Sequence, residues 1–160
     1  MPPTAGTDET IVHGTAIAAG GRAVLIRGPS GAGKSDLALR AIAMGGNALV
    51  ETNFQLVADD QVVVRRAGEG VTVSAPAALA GLIEVRGAGI VSVPYTAAAQ
   101  LELIAELTGA GGVERYPDPW PYAEILGVRM PVLRIAPFAA SAPLKLALAL
   151  ARTPWRAQPG

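Results

Sequence analysis

Gly28-Pro29-Ser30-Gly31-Ala32-Gly33-Lys34-Ser35 fits G-x-x-x-x-G-K-S/T, the pattern of a loop that wraps nucleotide phosphates. The pattern follows from a physical demand. Several consecutive backbone N–H groups have to point inward at an anion, and side chains at Gly28, Gly31 and Gly33 would block that approach. Lys34 then supplies a point charge for the β- and γ-phosphates, and the Ser35 hydroxyl is a ligand for Mg²⁺. The flanks agree. Ala23-Val24-Leu25-Ile26 is a short apolar run of strand type, and Ser35 to Met44 predicts a helix whose N-terminus faces the phosphates. A glycine-rich turn that merely happened to precede Lys-Ser would lack this strand–loop–helix context.

Working outward, Ile11 to Ala18 predicts a first strand that turns at Gly20-Gly21 into the strand before the loop. Gly45-Gly46 stops the helix, and Asn47 to Gln55 matches no regular element. Leu56-Val57-Ala58 reads as a buried strand ending at Asp59-Asp60. Val62-Val63-Val64 and Val71-Thr72-Val73 form a hairpin around Gly68-Glu69-Gly70. A short helical turn over Ala75 to Leu82 precedes the glycine-bearing segment Ile83 to Ile90. In Gln100 to Leu107 the alternation puts Leu101, Leu103, Ala105 and Leu107 on one strand face, with Glu102 and Glu106 opposite. Gly109 to Tyr122 reads as a surface loop carrying Trp120, and Val132 to Ile135 as a strand. Ser141 is the expected cap of a last helix, with Pro143 in its first turn and Leu144 to Arg152 as its body. Strands outnumber helices, which is unusual for a doubly wound nucleotide-binding fold.

Composition sets the bounds. A chain of 160 residues makes one domain with a real core. We expect a tail over residues 1–10, the domain over 11–152 and a second tail over 153–160. Half the residues are apolar, yet no run approaches the ~18–20 needed to cross a bilayer. Residues 1–10 lack the basic and apolar regions of a signal peptide. The absence of cysteine excludes disulfides, thiolate catalysis and cysteine-ligated metal. Thirteen basic residues balance thirteen acidic ones, which argues against nucleic acid as a general electrostatic partner. A cytoplasmic enzyme, with no membrane contact, is the expected class.

Phosphoryl transfer needs more than the loop. It requires a metal-holding carboxylate, a group that orients or deprotonates the nucleophile, and positive charge on the transferred group. Asp59-Asp60, after an apolar strand, offers the first two, although a solvated turn would carry the same residues. Glu84 and Arg86 frame a second glycine segment, Gly87-Ala88-Gly89, suited to closing over phosphate; a charged strand entering a turn reads the same way. His13, the only histidine, precedes the phosphate-loop hairpin. A lone histidine is more often structural than catalytic. The tryptophans and tyrosines show no cofactor-like spacing and read as packing or interface residues.

Four blocks, taken in order, resemble the catalytic domain of bacterial HPr kinase/phosphorylase in its short, single-domain alphaproteobacterial form. They are Val12-His13-Gly14, Gly28 to Ser35, Leu56-Val57-Ala58-Asp59-Asp60 and Ile83-Glu84-Val85-Arg86-Gly87-Ala88-Gly89-Ile90. Residues 125–131 and 141–145 resemble its C-terminal half. The resemblance implies a mixed, strand-rich α/β P-loop domain related to phosphoenolpyruvate carboxykinase. It further implies an ATP- and Mg²⁺-dependent serine kinase acting on an HPr-type phosphocarrier protein, in a homo-oligomer that is hexameric in the family. Such enzymes also run a phosphorolysis in which inorganic phosphate attacks phosphoserine and releases pyrophosphate.

By position, Lys34 then holds the β/γ-phosphates and Ser35 ligates Mg²⁺. Asp60 exchanges a proton with the serine, Asp59 and Glu84 support metal, and Arg86 opens the signature loop. His13 becomes a catalytic histidine beside the aspartate pair. The chain departs from the long enzymes at Ala136-Pro137-Phe138-Ala139-Ala140-Ser141, which lacks the arginines used there in the phosphorylase direction. The rivals are a P-loop kinase of small molecules, which usually carries an arginine-rich lid, and a nucleotide-sensing regulator without catalysis.

Overall fold

The computed structural model describes residues 8–51 and 53–152. Where Ile11 to Ala18 predicts one strand, the chain makes two, β1 (Glu9–His13) and β2 (Thr15–Ala19), separated at Gly14. β1 also takes in Glu9 and Thr10, which the expected N-terminal tail included; they pair with Arg65 and Val64. β3 (Arg22–Arg27) leads into the phosphate loop and α1 (Lys34–Met44) out of it. The chain continues through β4 (Gln55–Ala58), β5 (Gln61–Ala67), β6 (Gly70–Ser74), β7 (Leu82–Val85), β8 (Gly89–Ser92) and β9 (Ala98–Leu107). It closes with β10 (Tyr122–Ile125), β11 (Val128–Ile135) and α2 (Ala142–Ala151). The expected C-terminal tail, with Trp155, lies outside the described residues.

β9 organises the main sheet. It runs parallel to β3 on one side. On its other side its first residues pair antiparallel with β6, and its last pair parallel with β11. The strand order β1-β5-β6-β9-β3-β2-β4 is therefore mixed, with β10-β11 branching off the end of β9. β4 packs against β6, and β2 against β5, without sharing hydrogen bonds with them, so the sheet curls over its own face.

Two cores result. On one face α1, α2 and the β7-β8 hairpin cover Val24, Ile26, Leu103 and Ala105. Inside the curl lie Leu25, Val57, Val64, Val73, Leu101 and Ile104. This corrects the simple alternation expected for Gln100 to Leu107. Ala23 pairs with Leu101 but Val24 pairs with Leu103, so the register shifts at Glu102. Such a bulge reverses the phase of the strand. Leu101 therefore joins Ile104 in the curled core while Leu103 and Ala105 face the helices. Glu102 is buried rather than solvated, with one carboxylate oxygen 3.8 Å from Arg22 Nε.

The helices behave as their sequences predict, with one exception. α1 buries Lys34, Leu37, Ala38 and Ala41, the spacing of a single helical face. Ser141 stands at the N-cap of α2, but its hydroxyl makes no capping bond; its backbone carbonyl accepts the Lys145 N–H. A missing side-chain cap costs about 1 kcal/mol. Leu146 and Leu150, both buried, each contribute about 1.5–3 kcal/mol, so packing holds the helix in place. Of the stretch Asn47 to Gln55, unassigned from sequence, Gln55 opens β4, and residues 47–51, 53 and 54 belong to no helix or strand. The Asn47 side-chain carbonyl accepts the N–H groups of Leu49 and Val50, and Val50 and Phe54 are buried beside α1.

Candidate active site

β3 and β4 both pair antiparallel with β2, so their C-terminal ends fall at the same edge of the sheet. Ligands of open α/β sheets bind beyond such strand ends. Here the phosphate loop leaves β3, Asp59-Asp60 leaves β4, and Thr15 at the start of β2 lies between them.

Asp59 is the hub. One of its oxygens accepts hydrogen bonds from the Ser35 hydroxyl at 2.7 Å and the Thr15 hydroxyl at 2.8 Å. The other accepts the backbone N–H of Glu84 at 2.9 Å. The carboxylate is buried, and three donors of this kind compensate its lost hydration. Three distant segments are thereby fastened to the first turn of α1. Sequence reasoning missed Thr15, whose signal was a single hydroxyl opening an otherwise apolar strand.

Asp60 points the other way. Its φ is +67°, and the Gln61 N–H donates to the Asp59 carbonyl across it, closing a γ-turn. That turn is rare and strained. The Gly14 N–H donates to the Asp60 carbonyl, which ties the turn to the end of β1. The Asp60 carboxylate, mostly exposed, stands 3.4 Å from His13 Nδ1. The two adjacent aspartates thus divide: one is buried and multiply bonded, the other exposed beside an imidazole.

Within the phosphate loop the glycines do different things. Gly31 and Gly33 have positive φ, +82° and +103°, open to glycine at little cost. A Cβ on Gly33 would lie 2.8 Å from the Phe138 ring. Gly28 has no such φ; a Cβ there would meet the Leu107 side chain at 3.1 Å, so its smallness lets the loop pack on β9 rather than admitting phosphate directly. The Lys34 ammonium donates to the carbonyls of Gly28 and Pro29, at 2.9 and 3.0 Å. An ammonium has three protons, so one remains for a phosphate oxygen.

The β7-β8 hairpin brings the remaining groups. Glu84 faces the cleft from β7, and Arg86 follows it at the turn, where the Ala88 N–H donates to the Val85 carbonyl. Arg86 Nη2 lies 3.7 Å from where a Gly31 Cβ would stand, so the guanidinium sits over the loop. A cleft of about 510 Å³ is lined by His13, Ser30, Gly31, Gly33, Lys34, Ser35, Asp59, Asp60, Glu84 and Arg86. Of the residues picked out from sequence, Gly28, Pro29 and Ala32 do not line it and shape the loop from behind. Thr15, Asp36, Leu39, Val85 and Phe138 line it and were not anticipated. A second cavity of about 530 Å³, beside Trp120 and α2, contains none of the predicted site residues.

For a metal, the donor set is sparse but of the right chemistry. No three His, Asp or Glu side chains converge as a cation cage among the described residues. Ser35 Oγ and Asp59 Oδ1, in contact at the helix start, are two oxygen donors. Mg²⁺ commonly takes one or two protein oxygens and completes its octahedron with phosphate and water, so the site fits that ion.

The HPr Serine kinase C-terminal domain family matches residues 5–140. The HPr kinase/phosphorylase of Exiguobacterium sibiricum is 41% identical over 85 residues, covering 52% of this chain and 25% of that protein. That of Bacillus cereus is 39% identical over 108 residues, covering 67% of this chain and 29% of the relative. The chain thus spans between a quarter and a third of the length of these curated relatives. The solved Hpr(Ser) kinase/phosphatase of Coxiella burnetii superposes with a TM-score of 0.73 at 24% identity, covering 89% of this chain and 94% of that one. That likeness fixes the fold. No helix among the described residues is long and apolar enough to cross a membrane.

Proposed function

The chain belongs to the HPr serine kinase C-terminal domain family, and from that premise we propose that it is an ATP- and Mg²⁺-dependent protein serine kinase acting on an HPr-type phosphocarrier. The observation that carries the reading is the split aspartate pair: Asp59 bonded to the phosphate-loop serine, Asp60 exposed beside His13 in the same cleft. Phosphoryl transfer to a hydroxyl needs charge on the phosphates and a proton acceptor at the incoming oxygen, in separate hands.

The loop N–H groups at the start of α1 hold the β-phosphate region, and Lys34 bridges to the terminal phosphate. Ser35 and Asp59 would hold Mg²⁺, which would offset charge on the leaving oxygens. Arg86, above Gly31, balances charge on the transferred group. Asp60 accepts the proton of the carrier's serine as its oxygen attacks the γ-phosphorus and the bond to the β-bridging oxygen breaks. His13 orients that carboxylate. Glu84, which lines the cleft beside Asp59, would add negative charge for that metal.

The reverse phosphorolysis would require a second phosphate held against phosphoserine. The segment Ala136–Ser141 brings Phe138 to the cleft and no cation, which favours the kinase direction. The test is direct transfer. With labelled ATP and Mg²⁺, the protein should label one serine of an HPr-type carrier from its own source. A folded, ATP-binding protein that labels none of those carriers would overturn the proposal, and transfer to a metabolite alone would move it to the small-molecule kinases.

A further inference from the structure

Phe138 is out of place for an ordinary apolar side chain. It is 71% exposed, whereas the other phenylalanine of the chain, Phe54, is buried in the core. Its ring nonetheless has a fixed address. It lies so close over Gly33 that any side chain at that position would strike it. The backbone beneath it is tied down: Arg40 donates from Nη2 to the Pro137 carbonyl and pairs through Nε with Asp36 at 2.9 Å. An exposed ring is thus anchored to the phosphate-binding helix, at a loss of solvent-free packing that the fold itself does not require.

The cleft is divided in character. Its charged groups, Lys34, Asp59, Glu84, Arg86 and the His13–Asp60 pair, line it around the phosphate loop and the end of β4, while Asp36 is drawn into its pair with Arg40. Its apolar groups include Phe138, at Gly33, and Leu39, one turn along α1 from Ser35. A nucleotide has the same two ends, a charged triphosphate and a flat, apolar-faced base. With the phosphates at the helix start, the aromatic face left open beside Gly33 suits the base.

Resting on the nucleotide reading above, we infer that Phe138 is the platform on which the base of the bound nucleotide stacks, with Arg40 as the positioning residue that holds it there. Base–aromatic stacking is tolerant of sequence and purine type because every base offers a π-face. The site therefore selects for the presence of a base more than for its identity.

Calorimetric titration of the full chain with ATP and, separately, with inorganic tripolyphosphate, each with Mg²⁺, tests this. Phe138→Ala should weaken ATP about tenfold, equivalent to ~1.4 kcal/mol, and leave tripolyphosphate unchanged. Phe138→Trp should keep the ATP affinity, and Arg40→Ala should lower it severalfold with tripolyphosphate again unaffected. Equal weakening of both ligands by Phe138→Ala would make the ring a cover over the phosphates and overturn the inference, as would no effect on ATP. Wild-type protein that binds tripolyphosphate but gains nothing from the base overturns it while sparing the phosphate-loop reading. Failure to bind either ligand overturns both.

Discussion

At the scale of single residues, the contrast between Asp59 and Asp60 decides what each substitution does. Asp60 sits at φ +67°, a region that asparagine and aspartate enter more readily than other side chains. Asp60→Asn therefore keeps the turn and removes only the proton acceptor. It should leave thermal stability and ATP binding near wild type while carrier phosphorylation falls at least about 100-fold, the usual scale of general-base catalysis. Asp60→Ala should lose the same activity and, in addition, show a lowered melting temperature. If Asp60→Asn retains transfer, the carboxylate is not the base. A pure nucleotide sensor would keep its output in that variant. The aspartate pair, and the expectation that one member supports metal while the other exchanges a proton, were legible in sequence; the contacts that separate the two side chains were not. Adjacent residues diverge here because a γ-turn and the Gly14 N–H fix Asp60, whereas Thr15, Ser35 and the Glu84 backbone capture Asp59.

At the scale of elements, the phosphate loop and its helix were legible because their constraints are local. A strand, a run of glycines and a helix start each follow from neighbouring residues, and α1 begins at Lys34 as the pattern demands. The loop's glycines were less legible, since Gly28 answers to Leu107 and Gly33 to Phe138, both distant in sequence. Gly33→Ala makes the point measurable. It meets both a positive φ and the Phe138 ring, so it should reduce ATP affinity more than tenfold and lower the melting temperature. In a Phe138→Ala background part of the loss in melting temperature should return, because the steric part is relieved and the dihedral part is not. No recovery would mean that the clash contributes nothing. β1 and β2 were read as one strand for a related reason. Ile11-Val12 and Ala16-Ile17-Ala18 flank Gly14 with no longer turn signal between them, and only pairing with β5 on one side and β3 on the other separates the two strands.

At the scale of the whole molecule, one curled sheet separates two cores, and β9 contributes to both. Leu25 and Ile26 stand side by side on β3 yet belong to different cores, as do Ile104 and Ala105 on β9. Ile26→Val and Ile125→Val, one in each core and separated by β9 and β11, should each cost about 0.5–1.5 kcal/mol. Because the sheet lies between their packing partners, the two costs should add within about 0.5 kcal/mol in a urea-melt cycle. A larger coupling would mean that the cores communicate through the sheet. Short-range patterns and residue chemistry were enough for the phosphate loop, the strand-rich composition and the identity of most charged residues in the cleft. Tertiary structure decided the rest. The bulge at Glu102 reversed the face of Leu101, the antiparallel placement of β2 brought the ends of β3 and β4 together, and the return of the chain after β11 laid Phe138 on Gly33. Each of these depends on contacts between residues far apart in the chain, and no local periodicity records such a contact.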